Sequence, residues 1–323
     1  MRSLLLPFTL ISALVLIPTC SCAMMNNNGP NHNSSLAITT TSSLLTYHKG
    51  PLLTGPKSIN VYLIWYGLFS PMQKSTITSF LASFNPISHQ SPSVSTWWKA
   101  TQAYKDLRGR TVSSTVRLAG QASDIKSSLG KTLKRADIAV LVRRAISSKV
   151  FGVDPNGVYL VLTSQDVTVE RFCMGSCGFH DNLAVSPRVR VVYAHVGDPA
   201  TQCPSLCAWP FAAPAYGPPG QPVLRAPNGI GTDGMVMNIA TLLAGAATNP
   251  FKNGYFQGDP LAPLEAVTAC PGVFGAGAYP GYPGKLFVSA TSKASFNAYG
   301  AGGKVFLLPA IWDLVSMSCK SLT

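Results

Sequence analysis

The side chains able to do acid–base or metal chemistry are few: five histidines, twelve carboxylates, of which only Glu170 and Glu265 are Glu, and eight cysteines. His180 and His195 flank a strand-like stretch, and Cys177-Gly178-Phe179-His180 is the best corner for a metal or a general base. Both histidines also suit a purely structural role, since imidazole is chosen for either. Glycoside hydrolysis needs two carboxylates across a bond. Asp166 with Glu170 and Asp259 with Glu265 are the candidate pairs, provided the fold brings them together. Serine catalysis usually announces itself as Gly-x-Ser-x-Gly, which Gly175-Ser176-Cys177-Gly178 does not match. Cysteine catalysis needs a free thiol. No residue is therefore assigned as catalytic, cofactor-binding or metal-ligating. The enzymatic alternative is a hydrolase using Asp/Glu or His180.

The element best suited to carry an active site is a helix expected over 233–248. Thr232 or Asp233 offers an N-cap oxygen, and Met235, Ile239, Leu242, Leu243 and Ala246 recur at three- and four-residue spacing. Pro250 stops it, because proline disfavours helical geometry at Asn249. From Gly234 to Asn249 it holds no His, Cys, Asp or Glu. A His-Glu-x-x-His zinc helix needs two ligands one turn apart and a carboxylate beside the first. This helix reads as core.

The N-terminus reads as a secretory leader over 1–23: Arg2, an apolar run from Leu4 to Ile17 too short for a comfortable span, then small residues up to Ala23. Residues 24–43 are polar and repetitive, a disordered lead-in with a glycosylation sequon at Asn33. No later segment reads as a membrane span. Six cysteines remain beyond the leader: Cys173, Cys177, Cys203, Cys207, Cys270 and Cys319. In an oxidising compartment they are expected as three disulfides, with 15 possible connectivities. The short spacings make Cys173–Cys177 and Cys203–Cys207 candidate local pairs, with Cys270–Cys319 long-range. The same spacings would suit zinc only if the thiols stayed free.

The chain carries a net charge of +13 with only 11% charged residues. Basic clusters stand at Lys131/Lys134/Arg135, Arg143/Arg144 and Arg188/Arg190. For a secreted protein such charge suits an acidic polysaccharide or anionic surface. Nucleic acid is excluded by compartment and by the lack of a recognition motif.

The elements alternate. Strands are expected over 59–66 and 158–163, apolar throughout and so buried on both faces, and over 111–118 and 188–196. Helices are expected over 71–84, opened by Pro71, over 94–107 and over 129–148. Pro and Gly dominate 203–228 and 271–284, and short strands are expected over 286–288 and 305–308. The expected class is α+β (mixed α/β): a single domain over 44–323 with a mixed central sheet, packed helices and disulfide-bonded loops.

Several of these stretches carry a resemblance. Ser58-Ile59-Asn60-Val61-Tyr62-Leu63-Ile64-Trp65-Tyr66-Gly67, Tyr159 to Ser164, Cys177-Gly178-Phe179-His180, Cys203-Pro204 with Cys207-Ala208-Trp209-Pro210-Phe211, Asp233 to Gly258, Leu307-Leu308-Pro309-Ala310 and Cys319 resemble the EXORDIUM, or phosphate-induced protein 1, family of land plants. The resemblance runs from about Leu44 to the C-terminus. It implies secretion to the apoplast and a part in cell expansion and in brassinosteroid- and phosphate-responsive growth. It supplies no catalytic residues. It leaves an acidic wall polysaccharide or a cell-surface receptor as the expected partner.

A second resemblance concerns scaffold. Thr248-Asn249-Pro250, Asn253-Gly254-Tyr255, Glu265 and Cys270 are similar to the tail of secreted zincin-like proteins. It implies a degenerate zincin-like scaffold whose metal-helix positions fall on Thr241, Leu242 and Gly245, none of which can bind zinc.

Overall fold

The computed structural model describes residues 45–323 apart from 56–57, 86–89 and 216–221. The expected leader, the lead-in and Asn33 lie outside the described residues.

Five strands form the central sheet: β1 Ile59–Tyr66, β2 Val116–Asp124, β3 Val158–Thr163, β4 Gly178–Ser186 and β5 Val189–Gly197. Their spatial order is β2-β1-β3-β5-β4. The first four run parallel, and β4 returns antiparallel along the edge beside β5. Parallel neighbours need crossovers, and helices provide them. α1 Pro71–Ala82 and α2 Val94–Lys99 lie between β1 and β2, and α3 Arg135–Ser147 lies between β2 and β3. The mixed α+β class expected from the sequence is the one observed.

Period two divides each strand between two cores. Val61, Leu63 and Trp65 of β1 join Leu160, Val192, Ile77 and Phe80 on one face. Ile64 and Tyr66 join Tyr159, Val161, Ile138 and Leu141 under α3 on the other. The first face also receives α5 Ile230–Thr248, which packs on β4 and β5. This helix is long and apolar enough to cross a bilayer. Here α1, the short helix α4 Pro204–Cys207, β4 and β5 surround it, so its apolarity serves the core.

Several boundaries differ from expectation. α1 ends at Ala82, and its start is held by a capping box between Ser70 and Gln73. α2 stops at Lys99 and passes through a 3₁₀ turn, because Tyr104 leaves the helical path to donate its hydroxyl to Trp312 O at 2.6 Å. β2 starts at Val116 and α3 at Arg135, each later than the sequence pattern suggests. α5 starts one turn early. Gly229 caps it at a φ of 98° favoured by glycine, and Asp233 lies within the first turn, accepting from Asn228 N at 2.7 Å.

Beyond α5 the chain forms short hairpins: β6 Phe287–Val288 with β7 Ser295–Phe296, β8 Ala298–Tyr299 with β9 Val305–Phe306, and β10 Ile311–Asp313 with β11 Ser318–Lys320. Buried Asn297 ties them together, donating to Phe274 O and Leu308 O and accepting from Leu308 N.

All six described cysteines are paired, but not locally. The bonds are Cys173–Cys203, Cys177–Cys207 and Cys270–Cys319. The short helix α4 Pro204–Cys207 puts Cys203 and Cys207 one turn apart on one side. The turn holding Cys173 and Cys177 lies alongside, with Cα–Cα distances of 5.6 and 5.4 Å across the two bridges. Two rungs therefore clamp the approach to β4 onto the loop after β5.

Candidate functional site

β4 brings His180 to the face that α5 covers. Phe179 and His195 are cross-strand partners, and Phe179 belongs to the α3-side core. Their neighbour His180 projects to the opposite face. The two histidines are therefore on opposite sides of the sheet and cannot share a metal.

His195 is buried and bonds Thr163 Oγ1 at 2.9 Å. Burial, and then the Arg135 charge, push its pKa down to about 3, so the ring stays neutral. Phe172 and Phe179 flank it. This is a structural histidine.

His180 meets Glu265. Its Nε2 lies 2.9 Å from Oε1 and 2.8 Å from Oε2, with both side chains almost fully enclosed. Burial pushes the imidazole pKa down, but the charge and hydrogen bond of Glu265 outweigh it, and the net shift is upward. His180 Nδ1 is buried without a partner among the described residues. Asn249, the C-cap of α5, donates Nδ2 to Glu265 Oε1 at 2.7 Å, and its Oδ1 accepts from Gly254 N at 2.8 Å. Glu265 N donates to Thr268 Oγ1 at 2.7 Å, which fixes the carboxylate's backbone. Outside this set, Lys252 pairs with Asp181 at 2.9 Å.

The positions that the zincin resemblance places on the metal helix border this dyad. Thr241 donates its hydroxyl to Met237 O. Leu242 packs against Gly178, where a Cβ would come within 2.7 Å of Leu242 Cδ1. Gly245 faces Glu265 and His180 directly. An ion pair thus occupies the volume that a side chain at 245 would need. Among the described residues no cluster of three or more His, Cys, Asp or Glu is placed to hold a metal ion.

Each carboxylate of the candidate pairs is engaged by another partner. Asp166 binds Lys131 and Ser164, whereas Glu170 accepts from Arg135 N. Asp259 accepts from Leu261 N in an exposed turn, and Glu265 is committed to His180. Two contacts lie at the carboxyl ends of the parallel strands, where open α/β sheets usually bind ligands. Ser164 packs into the space left by Gly67, and Gln73 donates to buried Asp198 at 2.8 Å.

Two basic clusters that are separate in sequence both reach the edge strand β4. Arg143 of α3 donates to Ala184 O at 3.0 Å, and Ala184 is the cross-strand partner of Arg190. Arg190 is held by Asn182 at 2.5 Å. Arg144 is exposed on α3, and Arg188 is exposed in the turn between β4 and β5. None of the four forms an ion pair among the described residues.

The missed features have weak sequence signals. Glu265 lies 85 positions from His180. The one hint is Gly245, a glycine inside an apolar helix, which usually marks close packing.

A family model described as the phosphate-induced protein 1 conserved region matches residues 45–322. The chain is 48% identical over 287 residues to Protein EXORDIUM-like 2 of Arabidopsis thaliana, covering 86% of this chain and 90% of that one. Protein EXORDIUM of the same plant is 48% identical over 290 residues, covering 86% and 89%. Protein PHOSPHATE-INDUCED 1 of Nicotiana tabacum is 43% identical over 287 residues, covering 87% and 89%. No solved structure matches the chain.

Proposed function

This chain belongs to the phosphate-induced protein 1 family, and from that premise we propose that it is a secreted apoplastic protein that promotes or regulates cell expansion by non-catalytic binding of an acidic wall polysaccharide. The observation that carries the reading is the set of exposed arginines around the edge strand β4: Arg143, Arg144, Arg188 and Arg190. These guanidiniums have no carboxylate partner among the described residues. A polyanion would supply the missing charge and would be drawn in by it. Three disulfides suit an oxidising, extracellular compartment. A brassinosteroid- and phosphate-responsive role in growth is part of the same reading, and so is a cell-surface receptor as a second partner.

The competing reading is a wall hydrolase with His180 as general base. It draws on the His180–Glu265 bond. Its difficulty is access: both groups are enclosed, and a base must reach the proton it abstracts.

The test is retention on immobilised polyuronate. Replacing the four arginines by Gln should release the protein at lower salt, since exposed charges are screened over about 8 Å at physiological ionic strength. Unchanged retention, or turnover of a wall polysaccharide abolished by His180→Gln, would overturn the reading.

A further inference from the structure

A cleft of about 370 Å³ opens between the loop ahead of α5 and the β6–β7 and β8–β9 hairpins. Its volume lies in the range of small-ligand sites. One wall is aromatic. Half-buried Tyr299 meets Phe296 edge-on at 5.2 Å, and Phe287 supports Phe296 at 5.6 Å. The rest is polar, with Ser289, Ser292, Asn228 and Lys304 on the lining. Lys304 has no ion-pair partner among the described residues.

The frame is held by hydrogen bonds rather than by loop packing. Asn228 Nδ2 donates to Val305 O at 3.0 Å, and Ser295 N donates to Arg225 O at 2.9 Å. Asn297 N donates to Phe306 O at 3.0 Å, and Gly300 N to Lys304 O at 2.8 Å. The cleft is thus built before any ligand arrives, which lowers the cost of ordering on binding.

We infer that this cleft is a saccharide subsite that takes one pyranose ring bearing a carboxylate, a hexuronic acid residue. A pyranose has an apolar C–H face and a hydroxylated edge. The negative face of an aromatic ring attracts the first, and the serine hydroxyls and Asn228 Oδ1 suit the second. The ammonium of Lys304 selects for the carboxylate. A neutral sugar would leave that charge unmatched, and a bare phosphate or sulfate would leave the aromatic wall unused. The carboxyl beneath the cleft, Asp233, accepts from both Asn228 N and Nδ2. Burial pushes its pKa up to about 7 against those bonds and the Lys304 charge.

This inference rests on the proposed binding of acidic wall polysaccharide, and it adds a site built from other elements than the arginines around β4. The arginines would gather a long polymer, and the cleft would recognise a single residue of it.

The experiment is calorimetric titration of the full chain with a trimer of a hexuronic acid and with a neutral hexose trimer. The acidic trimer should bind saturably and at least about tenfold more tightly than the neutral one, a difference of about 1.4 kcal/mol. Lys304→Gln should weaken the acidic trimer about tenfold and leave the neutral one unchanged. Tyr299→Ala should weaken both, and Tyr299→Phe, which keeps the ring and the fold, should restore them. The four-arginine variant should bind the trimers like the parent chain. Equal affinity for the two trimers, or indifference to both Lys304→Gln and Tyr299→Ala, overturns the subsite. Retention of long polyuronate with no trimer binding overturns the subsite alone, and loss of both overturns the proposed function with it.

Discussion

A Cβ placed on Gly245 would stand 2.4 Å from Glu265 Oε2, so α5 can pass the buried carboxylate only because residue 245 has no side chain. The same Cβ would lie 3.2 Å from His180 Nε2. Glu265 cannot simply swing aside, because His180 and Asn249 hold both of its oxygens. The helix, the edge strand and the loop before Cys270 therefore meet at one ion pair.

Gly245→Ala tests that meeting point. In an open helix this change stabilises by about 1 kcal/mol. Here it must displace a bonded carboxylate, and overpacking costs about 1–3 kcal/mol before any lost hydrogen bond is counted. The net effect should be destabilisation of about 2 kcal/mol, read from the urea midpoint. A midpoint at or above that of the parent would mean that the dyad is not packed against α5.

The pH dependence of stability follows from two groups whose pKa is raised in the fold. His180 is shifted above 6.5 against the push of burial, by the Glu265 charge and hydrogen bond. Its contribution is therefore complete below about pH 6.5 and is lost as pH rises through the shifted value. Burial raises Asp233 from 3.8 to about 7. The folded state keeps a proton that the unfolded chain has released, so stability falls between these two values as pH rises. These two effects have the same sign, whereas buried His195, depressed to about 3, works the other way below about pH 6.5, so the urea midpoint should be higher near pH 6.5 than near pH 8.5. Asp233→Asn should flatten the slope below about pH 7, and His180→Gln the slope above about pH 6.5. A midpoint that climbs with pH above about 6.5 would contradict both assignments.

The parts legible in the sequence are those where one force dominates. β1 and β3 are apolar at nearly every position because both faces are buried, and their bounds match those expected. α1 is marked by Ser70, Pro71 and Gln73. β4 was not legible as a strand. It is an edge strand whose residues mix buried Phe179 and Leu183 with His180, Asp181 and Asn182, and hydropathy alone does not reveal that its polar members serve an ion pair. The start of α5 was misplaced because Asp233, a plausible N-cap, instead folds back on Asn228 from within the first turn. Disulfide partners depend on which segments the sheet brings side by side, and spacing along the chain does not encode that.

The two-rung clamp gives a further prediction. A non-reducing peptide map should recover Cys173 with Cys203 and Cys177 with Cys207, with no intact local pair. Replacing Cys177 and Cys207 together by Ser should lower stability by about 2–4 kcal/mol, the usual range for a bond closing a loop of this length. The loss should fall first on β4, seen as faster amide exchange at Phe179 and His180 than in β1. Uniform exchange across the sheet would show that the clamp does not hold the edge strand.

Asn249 gives the sharpest test of how the dyad is balanced. Its Nδ2 donates to Glu265 Oε1 while its Oδ1 accepts from Gly254 N, so one amide satisfies a carboxylate and a backbone donor at once. Asn249→Asp keeps the shape and the acceptor but turns the donor into an oxygen. When protonated, that oxygen can still donate to Glu265, and the variant should resemble the parent chain near pH 4. Once ionised, it places a second negative charge beside Glu265 with only His180 to offset the two. Like charges in a buried site are costly, so the deficit should grow to about 3 kcal/mol by pH 7. Asn249→Ala loses the same bond without adding charge, and its deficit should show no such growth over that range. Equal pH profiles for the two variants would mean that Glu265 is not held by Asn249 and that the closed dyad is supported from elsewhere.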